Sequence, residues 1–213
     1  MNASAFRCLV TAGPTREWVD PVRFLSNPSS GKMGYALARA ARNRGWKVNL
    51  VSGPVSLKVP AGVTPSFVET ALEMRDECAK LFPSCNMLLM SAAVCDHRPK
   101  NMVDQKIKKS RMTESLELES NPDILSELGR QKAEGQVLVG FAAETADCEA
   151  NALSKMHEKN LDWIVLNEVG LEGGAFGSDD NSVTLFGKNG SRQSFGSAGK
   201  LEIANALLGS IVS

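Results

Sequence analysis

The sequence predicts an α/β protein built on a mostly parallel sheet with helices on both faces. Apolar segments of strand length recur along the chain, amphipathic segments of helix length separate them, and glycine or proline marks the joints. One stretch in the middle breaks that alternation and predicts a small β flap outside the main sheet.

Residues 7–12 (RCLVTA) are the first predicted strand, ended by Gly13, Pro14 and Thr15. A helix is expected from Lys32 through Tyr35, Leu37 and Ala41, with Gly45 as the stop, because a left-handed residue commonly closes a helix. Residues 47–52 (KVNLVS) give the next strand, followed by a loop rich in glycine and proline. Thr70 and Glu73 have the spacing of a capping box, ahead of a helix that runs to Phe82. Residues 87–90 (MLLM) are a strand that continues into Ser91 and Ala92.

Residues 106–109 (KIKK) and 116–119 (LELE) alternate apolar and charged side chains, as half-exposed antiparallel strands do. A flap is therefore expected over residues 104–120. Pro122 is assigned to an early position of the following helix, where its missing N–H costs nothing. Residues 137–141, a helix around 149–159 and residues 162–166 restore the β-α-β rhythm. Asn189 followed by Gly190 is a strong turn signal and predicts a β-hairpin over residues 181–196. Residues 200–212 form a last amphipathic helix, and the chain 1–213 reads as one Rossmann-like domain.

Composition excludes several function classes. The 213 residues are 43% hydrophobic and 23% charged, an ordinary globular balance. Lysine plus arginine and aspartate plus glutamate both count 24, so a general nucleic-acid coat is not expected. No apolar run approaches membrane-spanning length, and the N-terminus lacks a signal-peptide core, which makes the cytoplasm the expected compartment. Five cysteines form no CxxC pair and the two histidines are far apart, so neither a disulfide framework nor a zinc centre is expected.

In open parallel sheets ligands bind beyond the carboxyl ends of the strands, which directs attention to residues 13–17, 26–34, 92–98 and 141–145. Ser29, Ser30, Gly31 and Lys32, followed by Met33 and Gly34, suit a backbone cradle for phosphate at a helix start, and equally an ordinary capped helix. A Walker loop is absent, since Met33 stands where Ser or Thr is required. A GxGxxG fingerprint is also absent, because Gly13 stands alone, so a nicotinamide-dependent reductase is a weak alternative. Asp96, Arg98 and Lys106, Lys108 and Lys109 offer charge for a hydrated magnesium ion and phosphates, with a solvated face as the plain alternative. Lys155 and Lys159 share a helix face, and a solvent-facing pair is the plain expectation for them. Cys95 reads as a buried structural thiol rather than a nucleophile.

At this point a resemblance becomes specific. Residues 11–34 (TAGPTREWVDPVRFLSNPSSGKMG) resemble the opening of phosphopantothenoylcysteine synthetases, the phosphopantothenate–cysteine ligases of coenzyme A biosynthesis. The likeness continues in order through LVSGPVSL, SAAVCDHRP, KIKK, NPDIL, GFAAET, KNLDWIVLN and FGSDDNSVTLF. The resemblance implies a stand-alone or excised ligase domain without the flavin-dependent decarboxylase, hence no FMN, although a separate decarboxylase chain remains a possible partner. It further implies a homodimer in which the flap and the sheet-edge strands form a dimerisation lobe, with the two active sites near that contact.

The reaction it implies joins 4′-phosphopantothenate to L-cysteine through an acyl-nucleotide, with Mg2+ and with CTP favoured over ATP. By the same resemblance Asn27 holds the intermediate and Lys106 is the catalytic lysine of the flap. Ala92, Ala93, Val94 and Asp96 match a nucleotide-binding segment, with Asp96 toward the nucleotide or its magnesium. Asn121, Pro122, Asp123, Ile124, Phe141, Lys155 and Lys159 match further nucleotide contacts, and Gly13 with Ser29, Ser30, Gly31 and Lys32 fits the phosphate loop. His97 stands where tyrosine is common and Ser120 where lysine often precedes Asn-Pro-Asp, both beside the nucleotide. A catalytically silent decarboxylase partner is the remaining alternative, against which the presence of Asn27 and Lys106 weighs.

Overall fold

The computed structural model describes residues 6–108, 115–168 and 180–212. In chain order its elements are β1 (Arg7–Ala12), β2 (Arg16–Asp20), β3 (Arg23–Ser26), α1 (Lys32–Asn43), β4 (Lys47–Ser52), β5 (Thr64–Phe67), α2 (Ala71–Leu81) and β6 (Met87–Met90). There follow β7 (His97–Pro99), β8 (Leu118–Ser120), α3 (Ile124–Gln131), β9 (Val137–Glu144), α4 (Cys148–Glu158), β10 (Trp163–Glu168), β11 (Asp180–Gly187), β12 (Arg192–Gly199) and α5 (Lys200–Ile211).

Eight strands form one sheet in the order β12-β11-β10-β9-β6-β1-β4-β5. Pairing is parallel from β10 across to β5, and β11 and β12 extend the sheet antiparallel, so the mostly parallel α/β fold expected from the sequence is observed. From central β1 the chain moves outward through β4 and β5, then returns to β6 on the other side and moves out through β9 and β10. That reversal opens a crevice between the carboxyl ends of β1 and β6.

Strand β1 lacks polar alternation because both of its faces are covered, and Cys8, Leu9, Val10 and Ala12 are all fully buried. Leu37, Ala38 and Ala41 of α1 and Ile203 and Leu207 of α5 form the core on one face with Val10, Leu50 and Leu89. Met74, Leu128 and Met156, from α2, α3 and α4, pack on the opposite face with Leu9, Leu88 and Leu138. The α1 layer lies against β1 because Gly34 has no side chain: a Cβ there would sit 2.5 Å from the Ala12 Cβ and 2.8 Å from the Thr11 carbonyl oxygen. Gly45, at φ 81°, closes α1, and Thr70 with Glu73 forms the full capping box of α2.

Four strands escaped the sequence pattern: β2, β3, β5 and β7. The β2–β3 hairpin lies between the first predicted strand and the start of α1, where no strand was expected, and its turn is organised by Asp20, whose buried carboxylate accepts from the N–H groups of Val22 and Arg23 at 2.9 and 3.0 Å. Strand β5 contains Pro65, which is tolerated because β5 is an edge strand.

The flap departs from its expected pairing. Residues 106–108 are not in a strand, Lys109 lies outside the described residues, and the LELE segment pairs instead with β7, in the register His97↔Ser120 and Pro99↔Leu118. The backbone of Ile107 is already engaged, which removes it from any ladder. Its N–H donates to Asp20 Oδ2 at 3.2 Å, and its carbonyl accepts from Arg23 Nη2 at 3.0 Å. Pro122 precedes α3 rather than entering it; the N-cap is Asp123, which accepts from the Ser126 N–H at 3.0 Å. Strands β11 and β12 pair antiparallel around Gly190, at φ 83°. No helix among the described residues is long and apolar enough to cross a membrane.

Candidate active site

The crevice at the carboxyl ends of β1, β6, β9 and β10 is about 580 Å³. Its floor is a pair of crossing loops. The Ala93 N–H donates to the Gly13 carbonyl at 2.9 Å, and the Thr15 N–H donates to the Ala93 carbonyl at 3.3 Å. Buried Thr11 adds a third link by accepting from the Ala92 N–H at 3.1 Å. The loops after β1 and β6 thus form one plate.

Asn27 stands on that plate. Its Nδ2 donates to the carbonyls of Ala93 and Val94 at 3.3 and 3.1 Å. Both partners are acceptors only, so the amide orientation is forced and Oδ1 is the atom left for a ligand. The amide protons are therefore committed to the protein.

Of the other residues singled out from the sequence, Ser29, Ser30, Gly31, Lys32, Ala92, Ala93, Val94, Asp96, Asn121, Pro122, Asp123, Ile124, Phe141 and Lys159 line the crevice. Gly31, at φ 74°, is the N-cap of α1, and no side chain caps that helix. Asn121 is spent on structure: its Nδ2 donates to the Cys95 carbonyl at 2.8 Å and its Oδ1 accepts from Arg98 Nη1 at 3.0 Å. Lys159 reaches across from α4 to Asp123 at 2.9 Å, so this cation and the α3 N-cap hold each other in place.

Three residues do not join the crevice wall. Gly13 lies beneath Gly31, where a Cβ on Gly31 would come within 3.3 Å of the Gly13 Cα; it spaces the plate rather than lining the cavity. Lys155 turns to the Glu144 carboxylate instead. Lys106 is exposed on the segment whose next residue is held by Asp20 and Arg23. The crevice also contains Asn167, Asn181 and Lys200, which sequence reasoning missed. Asn167 lies at the end of β10, and that position was the available signal, since strand ends carry ligands in this architecture.

Burial sets the local acid–base chemistry. Cys95, beside the crevice, has its thiol pushed up by burial, which fits the structural role expected for it. At the hairpin turn, burial works against ionisation of Asp20, but the N–H groups of Val22 and Ile107, the Arg23 guanidinium and the Arg23 N–H outweigh it and hold the carboxyl below the ordinary aspartate value. Among the described residues no cluster of three or more His, Cys, Asp or Glu is arranged to hold a metal. Asp96, an exposed carboxylate on the crevice wall, suits a hydrated magnesium ion carried in on phosphates better than a dedicated metal cage.

The family described as DNA/pantothenate metabolism flavoprotein C-terminal domain matches residues 4–213. The chain belongs to this family. It is 47% identical over 201 residues to the coenzyme A biosynthesis bifunctional protein CoaBC of Bacillus subtilis (strain 168), a match covering 94% of this chain and 49% of that protein. The chain therefore spans about half the length of such relatives. The crystal structure of the C-terminal domain of a CoaBC protein superposes with a TM-score of 0.82 at 40% identity, covering 97% of this chain and 93% of that one. A Cab2 mutant solved in complex with phosphopantothenate-cysteine shares the fold, with a TM-score of 0.77 at 16% identity over 97% of this chain and 85% of that one. In this chain residues 11–34 supply β2, β3, Asn27 and the α1 start, so the first segment that carries the resemblance also builds one rim of the crevice.

Proposed function

We propose that the chain is a ligase that joins 4′-phosphopantothenate to L-cysteine, giving 4′-phosphopantothenoylcysteine with release of pyrophosphate and a nucleoside monophosphate. The observation that carries this reading is the crevice itself, in a chain of this family. The uncapped α1 start with Lys32 lies on one rim, Asp123 with Lys159 on the other, and Asn27 stands on the floor between them.

The substrate carboxylate attacks the α-phosphorus of the nucleotide, and the resulting mixed anhydride is captured by the cysteine amine. The N–H groups of the α1 start and Lys32 receive phosphate oxygens. Phe141 offers a ring to the nucleoside. Asn27 Oδ1, its amide nitrogen fixed by Ala93 and Val94, accepts a hydrogen bond from an N–H or O–H group of the intermediate or of cysteine. Lys106 approaches from the flap to neutralise the attacked phosphate. Asp96 would hold magnesium through its water, and the ion would supply neutralisation of phosphate charge.

CTP is the preferred nucleotide in this reading, supported by the KIKK and GFAAET blocks. The active form is a homodimer. Val22, Phe24, Met102, Val103, Leu116 and Leu118 are exposed apolar side chains on the lobe formed by the β2–β3 hairpin and the segments around β7 and β8, a concentration that suits a subunit contact.

A nicotinamide-dependent reductase is disfavoured because the β2–β3 hairpin stands between β1 and α1, where a dinucleotide fingerprint would run directly from strand to helix. Pyrophosphate release is measured with 4′-phosphopantothenate and each of CTP and ATP, with and without cysteine. Release with CTP, and product only when cysteine is added, is expected. No nucleotide-dependent release would overturn the ligase, and equal kcat/KM with ATP would overturn only the CTP preference. Sedimentation at assay concentration tests the dimer, which a fully active monomer would contradict.

A further inference from the structure

Two of the helices that begin at the crevice start alike. Helix α1 follows Ser29, Ser30 and Gly31 with Lys32, and α5 follows Ser197, Ala198 and Gly199 with Lys200. Each has glycine at the N-cap, lysine at the first helical position and no side-chain cap. The helices lie side by side, tied by Arg44 Nη2 donating to the Asn205 carbonyl at 2.9 Å. Lys32 and Lys200 both line the crevice. An uncapped helix start leaves backbone N–H groups unsatisfied and carries the positive end of the helix dipole. Here two such starts open on one cavity.

A separate observation points to a ligand at the second start. Asn181 is 8% exposed and lines the crevice. Its Oδ1 accepts from the Ser182 N–H at 3.1 Å, while its Nδ2 has no hydrogen-bond partner among the described residues. No enclosed side-chain nitrogen or oxygen among the described residues is left unsatisfied, so this nitrogen opens on the crevice. Water in the crevice can satisfy this donor, and a ligand oxygen entering the crevice can take the place of that water.

We propose that Lys200 and Asn181 form the second half of a diphosphate clamp, in which the α1 start holds one phosphoryl group and the α5 start the one linked to it. The proposal rests on the ligase reading and deepens it by assigning residues to the leaving group. As the carboxylate oxygen bonds to the α-phosphorus, the bond from that phosphorus to the bridging oxygen breaks, and its electron pair leaves with pyrophosphate. Donors aimed at that developing charge favour the step. Two linked phosphoryl groups engage both starts, whereas orthophosphate engages one.

Inorganic pyrophosphate and orthophosphate are titrated calorimetrically into the wild-type chain, Lys200→Met, Asn181→Asp and the surface variant Lys188→Met. Lys188 is exposed and its Nζ donates to Asn160 Oδ1 at 3.3 Å, away from the crevice, so it controls for net charge. Wild type should bind pyrophosphate more tightly than orthophosphate. Lys200→Met and Asn181→Asp should each weaken pyrophosphate by about tenfold or more, the effect of losing a charge-assisted donor or adding a like charge, with orthophosphate changed by less. Lys188→Met should bind as wild type, and Lys200→Arg should retain most of the affinity. Unchanged pyrophosphate binding in the folded variants, or an equal loss in Lys188→Met, overturns the clamp, and so does a wild-type chain that does not bind pyrophosphate. Wild type that binds pyrophosphate as described but makes no product from CTP or ATP sinks the ligase and leaves the clamp.

Discussion

The Nδ2 of Asn27 lies 3.1 Å from the carbonyl oxygen of Val94, so the strand-end loop after β3 is fastened to the loop after β6 by an interaction only a donor can make. Asn27→Asp would set a carboxylate oxygen against the carbonyls of Ala93 and Val94. That substitution should disturb the crevice floor more than Asn27→Ala, although it is closer in shape. Both variants should still form some acyl-nucleotide and pass it poorly to cysteine, with capture slowed by about tenfold or more, the effect of losing one ligand hydrogen bond and the fixed geometry behind it. Rapid-quench analysis of the intermediate decides this; transfer at the wild-type rate in Asn27→Ala would remove Asn27 from the second half-reaction.

Lys106 should act earlier. Lys106→Ala is expected to slow acyl-nucleotide formation while leaving capture by cysteine intact once the intermediate exists. The same quench experiment, started with nucleotide and 4′-phosphopantothenate alone, isolates that step. Intermediate formed at the wild-type rate would show that the exposed flap lysine does no chemistry.

Acid should loosen the hairpin through Asp20. The folded-state carboxyl is held below the ordinary aspartate value, so its contribution is complete above that value, about 3.9, and is lost as pH falls through the folded value. Asp20→Asn should lower Tm at pH 7 and flatten the fall in Tm toward pH 3 relative to wild type. Thermal unfolding across that range tests the sign. A parallel fall in both proteins would mean that Asp20 does not titrate this way. Because Asp20 also holds the backbone of Ile107, the variant should reduce the effect of Lys106 on the first step.

The cysteines should separate by burial. Burial pushes the Cys78 thiol up to about 12 and raises that of fully buried Cys8 further, so neither forms appreciable thiolate at neutral pH. Half-exposed Cys148 should therefore be alkylated first, with Cys8 and Cys78 modified only on unfolding. Peptide mass spectrometry after timed iodoacetamide treatment reads the order, and early loss of Cys78 would contradict it.

Much of this architecture was legible because the relevant signals are local. The apolar runs at β1, β4 and β6 and the Thr70–Glu73 box depend on near neighbours, and the structure reproduces them. The strand expected at KIKK is absent over residues 106–108 because that backbone is claimed by distant groups: Asp20 and Arg23 take Ile107, and no alternation within KIKK reveals that. Most crevice residues were identified through family resemblance rather than through periodicity. Asn181 and Lys200 were missed because they reach the crevice from β11 and α5, far along the chain from the loops after β1 and β6.

The sheet keeps its two helical layers apart, with α1 and α5 packed into one cluster and α2, α3 and α4 into the other. The crevice draws one rim from each layer, so each rim stands on its own core. Substitutions accumulating under one rim can be absorbed there without disturbing the other, since distant sites without shared partners add nearly independently. Such a chain can drift in what its α3–α4 rim accepts while its α1–α5 rim stays unchanged. Homologues could thus diverge in nucleoside preference without first losing their grip on phosphate.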